Sequence, residues 1–432
     1  MPNLSQLLTT KAKPEHLRLF NACKDLHSQL ADIDNIYVCG GYVRDLILDN
    51  QTEDIDLCIE GNSKKFSTML SERLNLGKPH ESQFLTFKFV GGKGKDNVKS
   101  IDIVTCRDET YPTPASLPDV IPSSIDKDLN RRDFTVNAMA ISLTDQHWGD
   151  LIDPSNGFGD IMRKRIRVLH DASFIDDPTR VFRAVRYATR LGFNIDTHTT
   201  ELITNAIGNV DLLSGTRVRH EFEHILKEPK VCEMLREAED LGLLGAITPA
   251  LRVGPKALEI TSDLLKESSG DLQLEDLLAR VTFGLNTDEA KLTSSRFDGP
   301  KSWTDSISGN AKLASVVGIL DNPTITRSEI ADVLDDIPLQ CIRAYIATGS
   351  TLPRRGRLID YLQTIRFEGP EITGEDLMAA GVPEGPTIGQ LLELVKRARL
   401  DRKVNSKKKK WTWLEADSPN SSPMTKMLSS VN

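Results

Sequence analysis

The sequence predicts an α+β protein, in which a small mixed sheet with helices at the N-terminus is followed by helices alone. Two observations support this class. Short segments with the two-residue alternation of half-buried strands are confined to the first 165 residues. From Pro178 onward, apolar residues recur at a spacing of about 3.6, which is typical of amphipathic helices.

The N-terminal part alternates predicted helices and strands. Helices are predicted at residues 14–31, 43–48 and 64–74, and strands at residues 36–39, 54–59, 85–90 and 100–105. The last two strands form a hairpin, and Gly40-Gly41 form a turn after the first strand. Residues 111–124 contain four prolines and are predicted to be a loop or a mobile arm, whereas residues 137–143 are apolar enough for a buried helix end or a strand.

The C-terminal part is predicted to be helical at residues 180–191, 197–207, 216–226, 230–241, 257–266, 274–285, 328–334, 339–346 and 357–364. Residues 286–303 are polar and are predicted to be a connection, and the last dozen residues are expected to be disordered. We predict four segments: a head at 1–165, a neck at 166–228, a body at 229–360 and a tail at 361–432.

Composition narrows the class of protein. The net charge is -8, so any nucleic-acid contact must come from local basic patches. No stretch approaches the roughly 18 consecutive apolar residues of a membrane span, and no membrane partner is expected. The six cysteines are scattered without a CxxC pair, which argues against a zinc site or a disulfide framework and favours a reducing cytoplasm. Protein partners cannot be read from the sequence.

Asp54 and Asp56 are the first candidate site residues. Two carboxylates at positions i and i+2 of a strand point to the same face, so both can reach one metal site. Mg²⁺ ions held in this way serve phosphoryl transfer, and Asp102 on a neighbouring strand is the candidate third carboxylate. Gly40 and Gly41 let backbone N–H groups approach phosphates, with Arg44 just beyond them. In isolation such a pair is also common on exposed strands without a metal.

Ordered motifs carry a family resemblance. Residues 40–61 (GGYVRDLILDNQTEDIDLCIEG), 128–143 (DLNRRDFTVNAMAISL), 174–193 (FIDDPTRVFRAVRYATRLGF) and 214–229 (SGTRVRHEFEHILKEP) occur in order. They resemble the motifs of polymerase-β-like nucleotidyltransferases, in the branch of bacterial (class II) tRNA CCA-adding enzymes and poly(A) polymerases. Residues 374–393 resemble a tail motif of the bacterial members. The resemblance implies a polymerase-β-like head followed by a helical neck, body and tail.

The second motif supplies candidate nucleotide-binding residues. Arg131 and Arg132 offer guanidinium groups to triphosphate oxygens, and Asp133 and Asn137 can hydrogen-bond ribose hydroxyls. The resemblance implies the same roles and a preference for ribonucleotides. Taken alone, Arg-Arg-Asp is more often a surface ion-pair cluster, but the apolar run that follows places it against a core.

The third motif supplies a nucleobase reader. Asp177 and Arg180 share a helix face, and an acceptor beside a donor matches the edges of cytosine and adenine, not those of uracil and guanine. The ordinary alternative is an i,i+3 salt bridge. The family usually has Glu where this chain has Asp176, which puts the supporting contact of that side chain in doubt.

The remaining basic residues have two interpretations. Arg183, Arg186 and Arg190 can contact phosphates of a tRNA acceptor end or pair with Glu221 and Glu223. Arg217 and Glu221 are expected to brace the reader helix. Lys407–Lys410 with Trp411 and Trp413 can bind RNA or form a solvated helix.

These residues together predict a specific reaction: addition of CCA to the 3′ end of tRNA from CTP and ATP, with Mg²⁺ as cofactor. The loop at residues 105–111 resembles the flexible loop that members need for the terminal A, which favours full CCA addition. The alternatives are poly(A) synthesis, partial (CC- or A-only) addition, and a non-catalytic RNA-binding relative.

Overall fold

The computed structural model describes residues 3–82, 85–90, 100–267, 272–349 and 352–404. It divides into two compact units, residues 1–247 and residues 248–432. The Lys407–Lys410 run and the expected C-terminal disorder lie outside the described residues. The boundaries predicted at residues 165, 228 and 360 stay predictions.

The first unit contains a mixed seven-stranded sheet. Its strands are β1 (Ile33–Cys39), β2 (Asp54–Gly61), β3 (His80–Glu81), β4 (Thr86–Val90), β5 (Ser100–Thr105), β8 (Ala140–Ser142) and β9 (Leu151–Ile152). They lie side by side in the order β3-β4-β5-β2-β1-β8-β9. The pair β2–β5 is parallel, whereas β1–β2, β1–β8 and β4–β5 are antiparallel. Two further pairs are β6 (Arg107–Thr110) with β7 (Asp119–Pro122) and β10 (Arg165–Ile166) with β11 (Asn194–Ile195).

The helices of the first unit are α1 (Ser5–Lys11), α2 (Pro14–His27), α3 (Gly41–Ile47), α4 (Ser63–Leu74), α5 (Ile125–Asn130), α6 (Gly157–Met162), α7 (Ser173–Asp176), α8 (Thr179–Leu191), α9 (Thr197–Ala206), α10 (Gly215–Leu226), α11 (Val231–Asp240) and α12 (Leu243–Ile247). Helices α2 and α4 pack together beside the sheet, and α8 packs against α10 and α11. Phe66 of α4, Phe182 of α8 and Phe222 of α10 are fully buried, as the helical spacing of their apolar neighbours predicts.

Two predictions about the first unit change in detail. The proline-containing loop at 111–124 includes strand β7, which pairs with β6 to form a hairpin. Its last proline, Pro122, ends this short two-stranded pair, where a missing N–H is tolerated. Residues 137–143 contain the end of a 3₁₀ turn (Thr135–Asn137) and strand β8, so both alternatives for this segment are partly right.

The second unit is helical throughout its described residues. Its helices are α13 (Pro255–Glu267), α14 (Leu274–Val281), α15 (Thr287–Phe297), α16 (Lys301–Val316), α17 (Arg327–Leu334), α18 (Leu339–Ala347), α19 (Leu352–Gln363), α20 (Gly374–Ala379) and α21 (Pro386–Leu400). Buried Leu313, Leu334, Ile342 and Leu358 belong to one apolar cluster that joins several of them. The predicted α+β class, with a mixed sheet first and helices after it, is therefore confirmed.

The connection predicted at 286–303 is wrong, because it contains helix α15. Asn286 accepts from the backbone of Asp288 and Glu289, and the Glu289 side chain accepts from the backbone N–H of Asn286. This reciprocal capping box starts a helix in a segment whose polar composition hides it. In the described residues, no helix is long and apolar enough to cross a membrane.

Candidate active site

The three candidate carboxylates lie on adjacent parallel strands. In the β2–β5 register, Asp56 stands opposite Asp102 and Asp54 stands opposite Ser100. Directly opposite residues project to the same face of a sheet, so all three aspartates share one face. Oδ2 of Asp102 accepts a hydrogen bond from Lys88 at 3.2 Å, whereas its Oδ1 is buried without a hydrogen-bond partner.

The electrostatics of this face suit a divalent cation. Burial raises the pKa of the Asp56 carboxyl, the nearby Asp102 and Asp54 raise it further, and Arg132 opposes them. A cation would relieve this repulsion and would satisfy the unpaired oxygen of Asp102, so the residues fit a metal. Among the described residues, no group of three or more His, Cys, Asp or Glu side chains is arranged to hold a metal ion.

Gly40 occupies the turn between β1 and α3. Its φ is +71°, and a Cβ there would lie 2.6 Å from Nη1 of Arg132. A glycine is therefore needed both for the backbone conformation and for the space. Gly41 opens α3, and the buried Arg44 that follows donates to Asp45 and to Oδ1 of Asn137.

Asp128 holds the arginine pair of the second motif. Its fully buried carboxylate accepts from Arg131 through Oδ1 and from Arg132 through Oδ2. Arg131 also donates to the buried Glu109 on β6. Asp128 and Glu109 were not among the predicted site residues. Asp128 lies in the quoted motif three residues before Arg131, and this i,i+3 spacing on a helix was the available signal.

Asp133 and Asn137 are engaged with protein groups. Oδ1 of Asp133 accepts from the backbone N–H of Phe134 and from Asn137, and Oδ2 accepts from Arg183 at 2.8 Å. The Asp133 carboxylate in turn raises the pKa of the Arg183 guanidinium above its usual range. These bonds link the second motif to helix α8. Ribose binding by Asp133 and Asn137 stays a prediction.

Asp177 accepts a hydrogen bond at the N-terminal end of helix α8. Oδ1 of the Asp177 carboxylate accepts three hydrogen bonds: from the backbone N–H of Thr179, from the Thr179 hydroxyl and from Nη2 of Arg217. The other oxygen, Oδ2, accepts none of these three bonds. Asp177 is thus paired with Arg217 of α10 and not with Arg180, so the simple i,i+3 salt bridge does not form.

Arg180 is held almost completely inside the protein. Its side chain donates to Oγ of Ser173 at 2.7 Å and to the carbonyl of Arg131 at 2.8 Å, and the residue is 4% exposed.

A cavity of about 530 Å³ is lined by residues of the predicted site. They include Gly41, Arg44, Asp56, Asp102, Arg131, Arg132, Asp133, Asn137, Asp177, Arg180 and Arg183, together with Tyr111, Tyr187 and Arg190.

The structure places the remaining arginines in ion pairs. Arg186 lies 3.7 Å from Glu221 and 3.5 Å from Glu228, and Arg190 also contacts Glu228. Pairing with Glu223 does not occur, because that residue pairs with Lys227. Glu228 was not predicted.

Arg217 bridges two parts of the site: besides Asp177, it donates to the carbonyl of Ala115 in the β6–β7 connection at 2.7 Å. Arg217 therefore contacts this connection as well as Asp177, which precedes α8, and its bracing role stays a prediction.

One cysteine pair departs from the sequence argument. Cys39 and Cys58 form a disulfide between β1 and β2, and the other four cysteines are free and buried. The sequence argument was against a disulfide framework. It did not anticipate this single pair, because antiparallel pairing brings together residues that are 19 positions apart. The absence of CxxC spacing says nothing about such cross-strand neighbours.

Known families match two parts of the chain. Residues 36–167 match the poly A polymerase head domain, and residues 192–253 match the probable RNA and SrmB-binding site of polymerase A. An A-adding tRNA nucleotidyltransferase from Halalkalibacterium halodurans is 30% identical over 94% of this chain and 93% of its own length. The A-adding enzyme from Geobacter sulfurreducens is 32% identical over 85% of this chain, which spans only 43% of that relative.

Solved structures of CCA-adding enzymes are also similar to this chain. An apo form of a CCA-adding enzyme superposes with a TM-score of 0.78 at 28% identity, over 96% of this chain and 99% of that one. The Thermotoga maritima CCA-adding enzyme complexed with tRNA superposes with a TM-score of 0.70 at 27% identity, over 100% of this chain and 99% of that one. The match therefore extends over both compact units.

Proposed function

The chain belongs to the family of tRNA nucleotidyltransferases and poly(A) polymerases, and we propose that it adds CCA to the 3′ end of tRNA from CTP and ATP. One observation carries the proposal. Carboxylates suited to metal binding, Asp56 and Asp102, line the same cavity as Asp177 and Arg180, the candidate base-reading pair. Such a cavity can receive a nucleoside triphosphate by its phosphates and by its base at once.

The reaction is attack of the tRNA 3′-hydroxyl on the α-phosphate of the nucleotide. A P–O bond forms to the tRNA, the bond to the β-phosphate breaks, and pyrophosphate leaves. Asp54 and Asp56 would hold Mg²⁺, with Asp102 beside them, and the bound ions would neutralise developing charge and activate the hydroxyl. Gly40, Gly41, Arg44, Arg131 and Arg132 are proposed to contact the triphosphate.

Base selection is proposed to come from protein side chains alone. Oδ2 of Asp177 can accept from the amino group of cytosine or adenine, and Arg180 can donate to the adjacent ring nitrogen. Uracil and guanine present the opposite polarity, and each unpaired buried group costs about 1–3 kcal/mol. Asp133 and Asn137 are proposed to face the ribose, with Arg183 and Arg186 supporting them. The neck, body and tail segments are proposed to grip the acceptor arm.

The test is incubation of tRNA lacking CCA with Mg²⁺ and with CTP and ATP, separately and together, followed by sequencing of the ends. Full CCA ends with both nucleotides, and CC ends with CTP alone, support the proposal. Long A tails on unrelated RNA would instead indicate poly(A) synthesis. Asp54→Ala should abolish every product, and unchanged transfer in this variant would refute the metal role.

A-only addition is a second candidate, because the Halalkalibacterium and Geobacter relatives are both named A-adding. It predicts that tRNA ending in CC accepts A, whereas tRNA lacking all three nucleotides accepts no C. The same sequencing experiment separates the two candidates, since only full CCA addition consumes CTP.

A further inference from the structure

One basic side chain, Lys88, stands in the same row as the candidate metal ligands. Lys88 of β4 lies opposite Asp102 of β5, and Asp102 lies opposite Asp56 of β2. Opposite residues on paired strands project to the same face. One cation and two carboxylates therefore follow one another across three neighbouring strands.

The two oxygens of the Asp102 carboxylate have different surroundings. Nζ of Lys88 donates to Oδ2 at 3.2 Å, and Oδ1 is buried without a hydrogen-bond partner. The Lys88 side chain is 50% exposed and that of Asp102 is 26% exposed. The ammonium of Lys88 is thus accessible to water and can move away from Asp102. Oδ1 of Asp102, which Lys88 does not contact, is buried.

We propose that the Lys88 ammonium acts as a resident cation at this carboxylate site. It keeps the affinity of the site for divalent cations low until a nucleotide binds. The inference rests on the proposed function, because it takes Asp54, Asp56 and Asp102 as metal ligands. The Lys88 ammonium repels an incoming divalent cation and competes for Oδ2 of Asp102. The phosphates of a nucleotide bring negative charge that offsets the ammonium, so metal and nucleotide enter together.

The direct test is Mn²⁺ binding to the full chain without nucleotide, measured from the electron paramagnetic resonance signal of free Mn²⁺. Lys88→Met should bind Mn²⁺ roughly three- to tenfold more tightly than the natural protein, an effect kept modest by the exposure of Lys88. Lys88→Arg keeps the charge and should retain the natural affinity. With a non-hydrolysable ATP analogue present, the difference between Lys88→Met and the natural protein should shrink.

Two further variants make the outcome decisive. Lys64 forms a comparable pair with Glu81 on β3, at 2.9 Å, so Lys64→Met is the matched control and should leave Mn²⁺ affinity unchanged. Equal or weaker Mn²⁺ binding by Lys88→Met, or tightening as large in Lys64→Met, overturns the proposal. Asp56→Asn tests the metal site itself: if it abolishes Mn²⁺ binding while Lys88→Met has no effect, only the role of Lys88 fails.

Discussion

Asp128 is the buried counter-ion of the arginine pair, and replacing it with Asn tests how the site is held. Its Oδ1 accepts from Arg131 at 2.6 Å and its Oδ2 accepts from Arg132 at 3.0 Å. Asn removes the charge and turns an NH₂ group toward a guanidinium, so one donor faces another. Both arginines then lose their shared carboxylate inside the protein.

The size of the effect follows from burial. Removing one partner of a buried ion pair costs about 3–5 kcal/mol, because the other charge stays buried. Arg131 keeps its bond to Glu109, and the side chains of Arg131 and Arg132 are 15% and 16% exposed, which places the loss at the lower end. We expect Asp128→Asn to lower the unfolding free energy of the first unit by about 3 kcal/mol.

The assay is a urea titration of the full chain followed by hydrogen-exchange mass spectrometry, which reports on peptides of β2 and α5 separately from the second unit. Asp25→Asn is the control, since Asp25 pairs with Arg73 on the surface and should cost at most about 1 kcal/mol. A loss below about 1 kcal/mol for Asp128→Asn would show that the arginines do not depend on this carboxylate.

The buried Asp128 carboxylate also predicts how the stability of the protein depends on pH. Burial alone would raise the pKa of the Asp128 carboxyl, but Arg132 and Arg131 outweigh it and hold the pKa below its ordinary value. A lowered folded-state pKa gives stability that is fully present above the unfolded pKa of about 3.9 and is lost as pH falls through the folded-state value. The stability difference between the natural protein and Asp128→Asn should therefore be constant near neutrality and shrink below about pH 3.9.

Three other substitutions probe the site. Gly40→Ala forces a Cβ against Arg132 at a positive φ, so the single-turnover rate should fall about tenfold or more, and an unchanged rate would contradict the close approach. Asp177→Asn keeps its oxygen toward Arg217 and presents NH₂ at the other position, so competition assays should show UTP gaining about tenfold on CTP. Arg217→Met releases both Asp177 and the Ala115 carbonyl, so ATP incorporation should slow about tenfold; unaltered kinetics would exclude the bridge.

Local pattern was sufficient for about half of the helices and strands of the fold. The alternation of residues 54–59 and the helical spacing of residues 180–191 correspond to β2 and α8. Helix α15 was missed because its start depends on the capping of Asn286, not on apolar periodicity. Strand β7 was missed because it pairs with β6 within a proline-containing segment. That pairing is made by the backbone and is not marked by an alternation of apolar and polar side chains.

The motifs indicated the candidate site residues, but most of the side chains that those residues contact could not be predicted. Asp133 meets Arg183 across 50 positions of sequence, and Asp177 meets Arg217 across 40. No local spacing encodes contacts of this length, because they arise from how the helices pack. For Arg183, Arg186 and Arg190 the sequence left phosphate contact and pairing with Glu221 and Glu223 open. The structure provides a carboxylate for each of the three arginines, and only the pairing of Arg186 with Glu221 was named in advance.

The parallel pairing of β2 with β5 also bears on synthesis of the chain. Asp56 and Asp102 are 102 − 56 = 46 positions apart, and they become neighbours only when β5 docks onto β2. Closing so long a loop costs entropy that only the completed sheet repays. On a ribosome, a chain that has emerged only as far as β4 therefore carries the first two aspartates without the third, and the face that holds all three arises together with the sheet.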